Sequence, residues 1–324
     1  MTKPVVGRPA REAGRAARPS RRAALDGVAG ELRAAGIEAA RLEAERLLAF
    51  ATGTPRGELL QALGSALRAD EARALAVVVQ RRLAGEPLQH IEGTVEFREL
   101  ELHSDPRAFI PRPETEQLVE RVLRWARERG DGSGGVKVVR RPGQQALLQA
   151  ALDIGTGSGA IALSLAYEGI AARVVALDRS AAALEQAAEN RAKVGVTASR
   201  VELRRVTGSL WAAVEPEERF DLIVSNPPYV ADNELAGLPR EVRHDPVEAL
   251  EAGVEGLDVV REVVGGAWAH LHPGGAIFLE IGEGQGESVR SLLASAGAWS
   301  AVEVEQDLAG RVRFAFALRG RASA

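Results

Sequence analysis

Apolar residues recur at helical spacing between residue 22 and about Ala84: Leu25, Val28, Ala29 and Leu32, then Leu42, Ala44, Leu47 and Leu48, then Leu59, Leu60 and Leu63, then Leu75, Val78, Val79 and Leu83. Gly36, Thr52-Gly53-Thr54-Pro55 and Gly64-Ser65 interrupt this period, so residues 22–86 are expected to form a small helical bundle. Beyond Pro87 the apolar runs shorten to Gln89-His90-Ile91, Thr94-Val95-Glu96-Phe97 and Leu100-Glu101-Leu102, which predicts a β-hairpin linker over residues 87–112. Pro113 suits the first turn of a helix that runs to about Arg129. From Ala146 onward, strands at 150–152, 173–177, 200–204, 220–224, 276–280, 302–305 and 312–318 alternate with helices at 160–167, 181–194, 257–271 and 285–296. Such alternation predicts an α/β domain over residues 113–324, with a mainly parallel sheet and helices on both faces. Ligands of such sheets bind beyond the carboxyl ends of the strands.

Composition narrows the picture at the margins. Residues 1–21 carry Lys3, Arg8, Arg11, Arg15, Arg18 and Arg21 against Glu12, with Pro4, Pro9 and Pro19 among them, and are expected to be a disordered basic tail. The Gly- and Arg-rich residues 130–145 read as a flexible insertion. In 324 residues there is no cysteine, which excludes disulfides, thiolate nucleophiles and Cys-ligated zinc. No apolar run approaches the roughly 18 residues of a membrane span, and no secretory signal core is visible, so the expected location is the cytoplasm. A net charge of -4 gives no overall basic field, and direct sequence-specific nucleic-acid binding is not expected.

Candidate chemistry begins at Asp153-Ile154-Gly155-Thr156-Gly157-Ser158-Gly159, a glycine-rich turn between a predicted strand and a predicted helix. Gly155, Gly157 and Ala160 also satisfy the dinucleotide fingerprint, and Asp178 stands at the separation of an acid that binds ribose hydroxyls, so an adenosine-containing cofactor is indicated. Asp153 would repel a pyrophosphate but suits the ammonium and sulfonium of S-adenosylmethionine, whose binding loop in methyltransferases resembles this one. Trp211 follows the third strand of the domain, where an aromatic ring can stack on adenine.

Asn226-Pro227-Pro228-Tyr229 ends the strand Asp221-Leu222-Ile223-Val224, at the same sheet edge as the glycine loop. An amide or aromatic amino nitrogen is a poor nucleophile because its lone pair is delocalised, so it must be positioned rather than deprotonated. The Asn226 side-chain oxygen and the Pro227 carbonyl suit its two N–H groups, the prolines stiffen the backbone, and Tyr229 offers a face for a planar group. Glutamine and adenine are both open as targets of such a loop.

With these motifs the sequence resembles the release-factor glutamine methyltransferases, the HemK-like proteins, from about Arg22 to Phe316. Further segments that carry the resemblance are Gly85 to Gly93 with Glu96-Phe97, Phe109 to Glu116, Ser225 to Tyr229, and Glu280-Ile281-Gly282 with Gly284-Gln285-Gly286. The resemblance implies a helical bundle and hairpin ahead of a seven-stranded, Rossmann-like class I methyltransferase domain. It implies methylation of the Gly-Gly-Gln glutamine of class I peptide chain release factors, a step in translation termination, with the bundle docking the release factor. Gly155, Thr156, Gly157, Ser158, Gly159, Asp178 and Trp211 would then contact the cofactor, Asn226 both cofactor and substrate, and Pro227, Pro228 and Tyr229 the glutamine. Ser209-Leu210 stands where relatives often carry an acid, which puts a hydrogen bond to the adenine amino group in doubt. Ribosomal-protein glutamine methyltransferases and nucleic-acid adenine-N6 methyltransferases are the alternatives; Arg112 to Glu116 disfavours the first, and the acidic stretch from Glu248 to Asp258 the second. No metal is expected, since His244, His270 and His272 lack clustered acids, and a monomer is expected.

Overall fold

A computed structural model describes residues 18–130, 146–195 and 200–321, so residues 1–17 of the expected tail and 131–145 of the expected insertion lie outside the described residues. The chain divides between Ile91 and Glu92 into two compact units. The first contains α1 (Arg21–Ala34), α2 (Ala40–Thr52), α3 (Arg56–Gln61) and α4 (Ala69–Leu83), with α5 (Leu88–Glu92) at its end. The Ser20 hydroxyl caps α1 by accepting from the Ala23 N–H, and Gly53 ends α2 at φ +59°, a left-handed conformation that glycine adopts without strain. Leu25, Leu32, Leu47, Leu48 and Leu59 are wholly buried and form the centre of this unit. Leu47→Ala is therefore expected to lower unfolding free energy by about 2–5 kcal/mol, read from denaturant unfolding of the full chain.

One local expectation is corrected here. Gln89-His90-Ile91 is helical rather than extended: the His90 and Ile91 N–H groups both donate to the Pro87 carbonyl at 3.1 Å, closing the turn of α5. Three residues of alternating polarity are too few to separate one helical turn from a strand.

The second unit opens with an antiparallel hairpin, β1 (Thr94–Phe97) and β2 (Leu100–His103). Next come α6 (Pro113–Gly130), β3 (Leu148–Ile154), α7 (Ala160–Tyr167), β4 (Ala171–Asp178), α8 (Ala181–Val194), β5 (Val201–Arg205) and β6 (Phe220–Ser225). It closes with α9 (Asp258–His270), β7 (Leu271–Glu280), α10 (Gly286–Ala296), β8 (Trp299–Gln306) and β9 (Val312–Arg319). β3 to β9 form one seven-stranded sheet in the order β5-β4-β3-β6-β7-β9-β8. The first five of these are parallel, and β9 runs antiparallel to both β7 and β8. This is the Rossmann-like arrangement of class I methyltransferases.

The central strands are apolar on both faces, as a covered parallel sheet requires. Ala151, Val174, Ala176, Leu222 and Val224 face α6, α7 and the hairpin, whereas Leu152, Val175, Leu177 and Ile223 face α9 and α10. Strand β7 begins at Leu271, five residues earlier than expected; its first half, His272-Pro273-Gly274-Gly275, has a composition that suggests a turn. The strand order reverses at β3, between β4 and β6, so the carboxyl ends of these three strands mark the expected ligand position.

Candidate active site

The turn after β3 is shaped by three glycines, Gly155, Gly157 and Gly159, at φ +74°, +54° and +85°. A Cβ on Gly159 would meet Leu163 Cδ1 at 3.2 Å and the Ala187 Cβ at 3.3 Å, so this glycine is needed for packing. Gly155 and Gly157 differ: nothing lies within 4 Å of the Cβ each lacks, so their backbone is open to a ligand's close approach. The loop is held from several sides. Leu177 O accepts from the Gly155 and Thr156 N–H groups, and Asn190 Nδ2 donates to Ser158 O at 2.9 Å.

Asp153 is fully buried, and its Oδ2 accepts from Thr156 Oγ1 at 2.7 Å and from the Ala162 N–H at 3.1 Å. Its Oδ1 is buried and receives no hydrogen bond from the described residues. Burial pushes this carboxyl up to about 7, with the neighbouring Asp178 charge adding to the shift and its two donors opposing it. Asp178, at the tip of β4, accepts from the Gly157 and Ser180 N–H groups, each at 2.8 Å. Burial raises its pKa also, against the pull of those donors. Thus one acid stiffens the base of the loop and the other fixes its crest. The Thr156 hydroxyl, expected at a cofactor, is engaged by Asp153 within the protein.

The Asn226 to Tyr229 segment leaves the tip of β6, next to β3. Ser225 pairs with Ile154 across the two strands, and its hydroxyl donates to Ile154 O at 2.6 Å, which ties this segment to the start of the glycine loop. Asn226 Nδ2 donates to Thr115 Oγ1 at 3.1 Å, and Thr115 in turn donates to Glu280 Oε2 at 2.7 Å. Both Thr115 and Glu280 are buried, and burial pushes the Glu280 carboxyl up to about 7. Among the described residues no donor reaches Asn226 Oδ1 or Pro227 O. Two acceptors from consecutive residues are thereby left open among the described residues.

Beyond Pro228 the loop is clamped. Gln285 Nε2 donates to Tyr229 O at 3.0 Å and to Gly256 O at 2.9 Å, while its Oε1 accepts from the Gly282 N–H. The Tyr229 ring lies under the Arg313 guanidinium, 5.7 Å from its centroid, and burial pushes the phenol up to about 12, so it stays neutral. Asp245 accepts from the Ile110 N–H and from Arg112, which fastens the segment ahead of α6 to the loop that follows Tyr229.

Trp211 packs against α9. Its Nε1 donates to Glu262 O, its ring stacks on His270 at 5.0 Å, and it fills the space beside Gly266. These contacts run along one side of α9, from Glu262 to His270. Residues that carried no individual role in the sequence reading, Thr115, Glu280, Gln285, Gly256 and Asp245, prove to hold the Asn226 segment. One signal was available: a predicted strand ends at Glu280, on the same sheet edge as Asp178 and Asn226. Among the described residues, no group of three or more His, Asp or Glu side chains is placed to hold a metal ion, and no helix is long and apolar enough to cross a membrane.

Residues 23–93 match the family model described as PrmC N-terminal domain, and residues 138–253 match the one described as Methyltransferase small domain. The release factor glutamine methyltransferase of Moorella thermoacetica is 41% identical over 298 residues, covering 92% of this chain and 98% of that protein. Its namesake from Deinococcus radiodurans is 41% identical over 286 residues, covering 88% and 93% respectively. Among solved structures, the hMettl16 catalytic domain in complex with MAT2A 3'UTR hairpin 6 matches with a TM-score of 0.51 at 15% identity, covering 80% of this chain and 84% of that one, a likeness of fold alone.

Proposed function

This chain belongs to the release factor glutamine methyltransferase family, and we propose that it methylates the side-chain amide nitrogen (N5) of the glutamine in the Gly-Gly-Gln motif of class I peptide chain release factors. The observation that carries this reading is the pair of open acceptors, Asn226 Oδ1 and Pro227 O, on consecutive residues at a sheet edge that also bears the glycine loop. A primary amide presents two N–H donors in one plane, and two neighbouring acceptors fix both at once. The nitrogen lone pair is thereby aimed, and positive charge developing on the nitrogen in the transition state meets two oxygens, so both interactions strengthen as the reaction proceeds.

S-adenosylmethionine fits the other half of the site. The open backbone faces of Gly155 and Gly157 admit its close approach, and the buried Asp153 Oδ1, without a donor among the described residues, is an acceptor suited to a cationic group. Asp178 is assigned to the ribose hydroxyls. When bound, the cofactor supplies a methyl group on a sulfonium, an electrophile that needs no metal. As the nitrogen–methyl bond forms and the methyl–sulfur bond breaks, the amide proton becomes acidic and passes to solvent. Trp211 is assigned to the adenine of the cofactor, held by its indole N–H donating to Glu262 O, beside the Leu210 N–H that donates to Glu262 Oε1. The helical unit, which exposes Leu42, Phe50 and Val77, is assigned to docking the release factor. We place the reaction in the cytoplasm, carried out by a monomer.

Incubation with labelled S-adenosylmethionine and a purified release factor, followed by mass spectrometry, is expected to place the methyl on the Gly-Gly-Gln glutamine. Label on a ribosomal protein or on DNA alone would overturn the proposal. Asp178→Ala is expected to weaken cofactor affinity by roughly 10- to 100-fold in calorimetric titration, the range for losing hydrogen bonds to a charged group. Unchanged affinity would remove Asp178 from the cofactor site.

A further inference from the structure

We propose that Thr115 and Glu280 are positioning residues that decide which end of the Asn226 carboxamide faces the substrate. This rests on the assignment of Asn226 as the acceptor of the glutamine amide. The end of a carboxamide that points outward is not settled by its shape, because oxygen and NH2 are nearly isosteric. It is settled by the hydrogen bonds behind it. Thr115 has one hydroxyl proton, and Glu280 when ionised can only accept. The 2.7 Å contact between them then uses that proton, leaving Thr115 only lone pairs to offer Asn226. Asn226 must answer with Nδ2, as it does at 3.1 Å, and its Oδ1 is turned away, free to accept.

A protonated Glu280 undoes this logic. The carboxyl then donates to Thr115, the threonine proton is released toward Asn226, and the carboxamide can rotate to accept it. Its NH2 would then meet the substrate amide donor to donor. The relay therefore transmits the charge state of a carboxyl at the tip of β7 to the orientation of a side chain at the tip of β6. It gives a purpose to a buried acid that the methyl transfer does not otherwise use.

The groups facing Glu280 are Thr115 and Glu114 on α6, Arg112 ahead of that helix, Arg313 on β9 and Tyr229 after β6. Burial, the largest influence, and Glu114 oppose the ionised form, whereas the Thr115 hydrogen bond, Arg313 and Arg112 favour it. With the carboxyl raised to about 7, the productive orientation gains population as pH rises through neutrality.

Three variants test the relay in steady-state kinetics with a purified release factor. Thr115→Val keeps the shape but removes the hydroxyl, and is expected to lower kcat by at least about tenfold with both KM values within about threefold, since the lost contact acts mainly on the transition state. Thr115→Ser restores the hydroxyl and is expected to recover kcat to within about threefold of the parent. Glu280→Gln can either donate or accept, so it loses the enforced polarity; it is expected to lower kcat and to flatten the part of the pH profile between about pH 6 and 8 that belongs to Glu280. Glu280 is not among the groups that shift Asp153, so the difference between the two profiles is expected to report Glu280. A valine variant with unchanged kcat, or a serine variant that fails to rescue, overturns the proposal. Should the valine variant fail to fold, an unchanged kcat and pH profile in Glu280→Gln overturns it instead. Near-normal turnover in Asn226→Ala would instead sink the functional reading beneath it, so the two failures are distinguishable.

Discussion

Replacing Asn226 with alanine is expected to lower turnover by at least about a hundredfold while leaving affinity for S-adenosylmethionine within about tenfold. The asymmetry follows from what the side chain has to offer. Its Nδ2 is spent on Thr115, and its Oδ1 accepts from no donor among the described residues. Truncation removes one of two acceptors for the substrate amide and leaves the glycine loop, Asp153 and Asp178 as they were. The interaction lost is one that grows with charge on the attacking nitrogen, so kcat falls more than binding does. Single-turnover measurement with saturating cofactor and release factor separates the two effects. Weakened binding with an unchanged single-turnover rate at saturation would mean that Asn226 contributes to ground-state binding alone.

Gly256→Val is expected to be nearly as damaging, though Gly256 lies 27 positions beyond Tyr229 in the sequence. Its φ of +69° already disfavours any side chain. A Cβ there would sit 2.5 Å from Tyr229 O and 2.8 Å from Gln285 Nε2, the two atoms whose contact clamps the Asn226 segment. One of them has to move, and the Pro227 carbonyl moves with its loop. Displacements of about 1 Å in a reacting geometry can cost roughly a hundredfold in rate. Reduced turnover, with hydrogen exchange rising at Tyr229 and Val230 but not in the glycine loop, is the expected result. Normal kinetics would show that the clamp does not matter to catalysis.

Much of this molecule was legible in its sequence, and the reasons are physical. The central strands had to be apolar on both faces, so the continuous runs 174–177 and 222–224 announced themselves. Helix α8 was bounded by its own signals, Ser180 at its start and Gly195 after its end, and matches the expected residues 181–194. The Asn226 segment stood out because two consecutive prolines after a strand serve no ordinary strand purpose. Elements defined by long-range contact were harder to see. The first half of β7 was concealed by Pro273 and two glycines, and α5 was too short to show a period. In the site, Thr115 lies 111 positions from Asn226 and Glu280 lies 165 from Thr115, so no local pattern could join them.

The most direct measurement of the central claim is a crystal structure with S-adenosylhomocysteine and a release-factor peptide containing Gly-Gly-Gln. The glutamine amide nitrogen is expected about 3 Å from both Asn226 Oδ1 and Pro227 O, in line with the cofactor sulfur. A glutamine side chain bound elsewhere, or an Asn226 that presents its NH2 to the amide, would contradict the account.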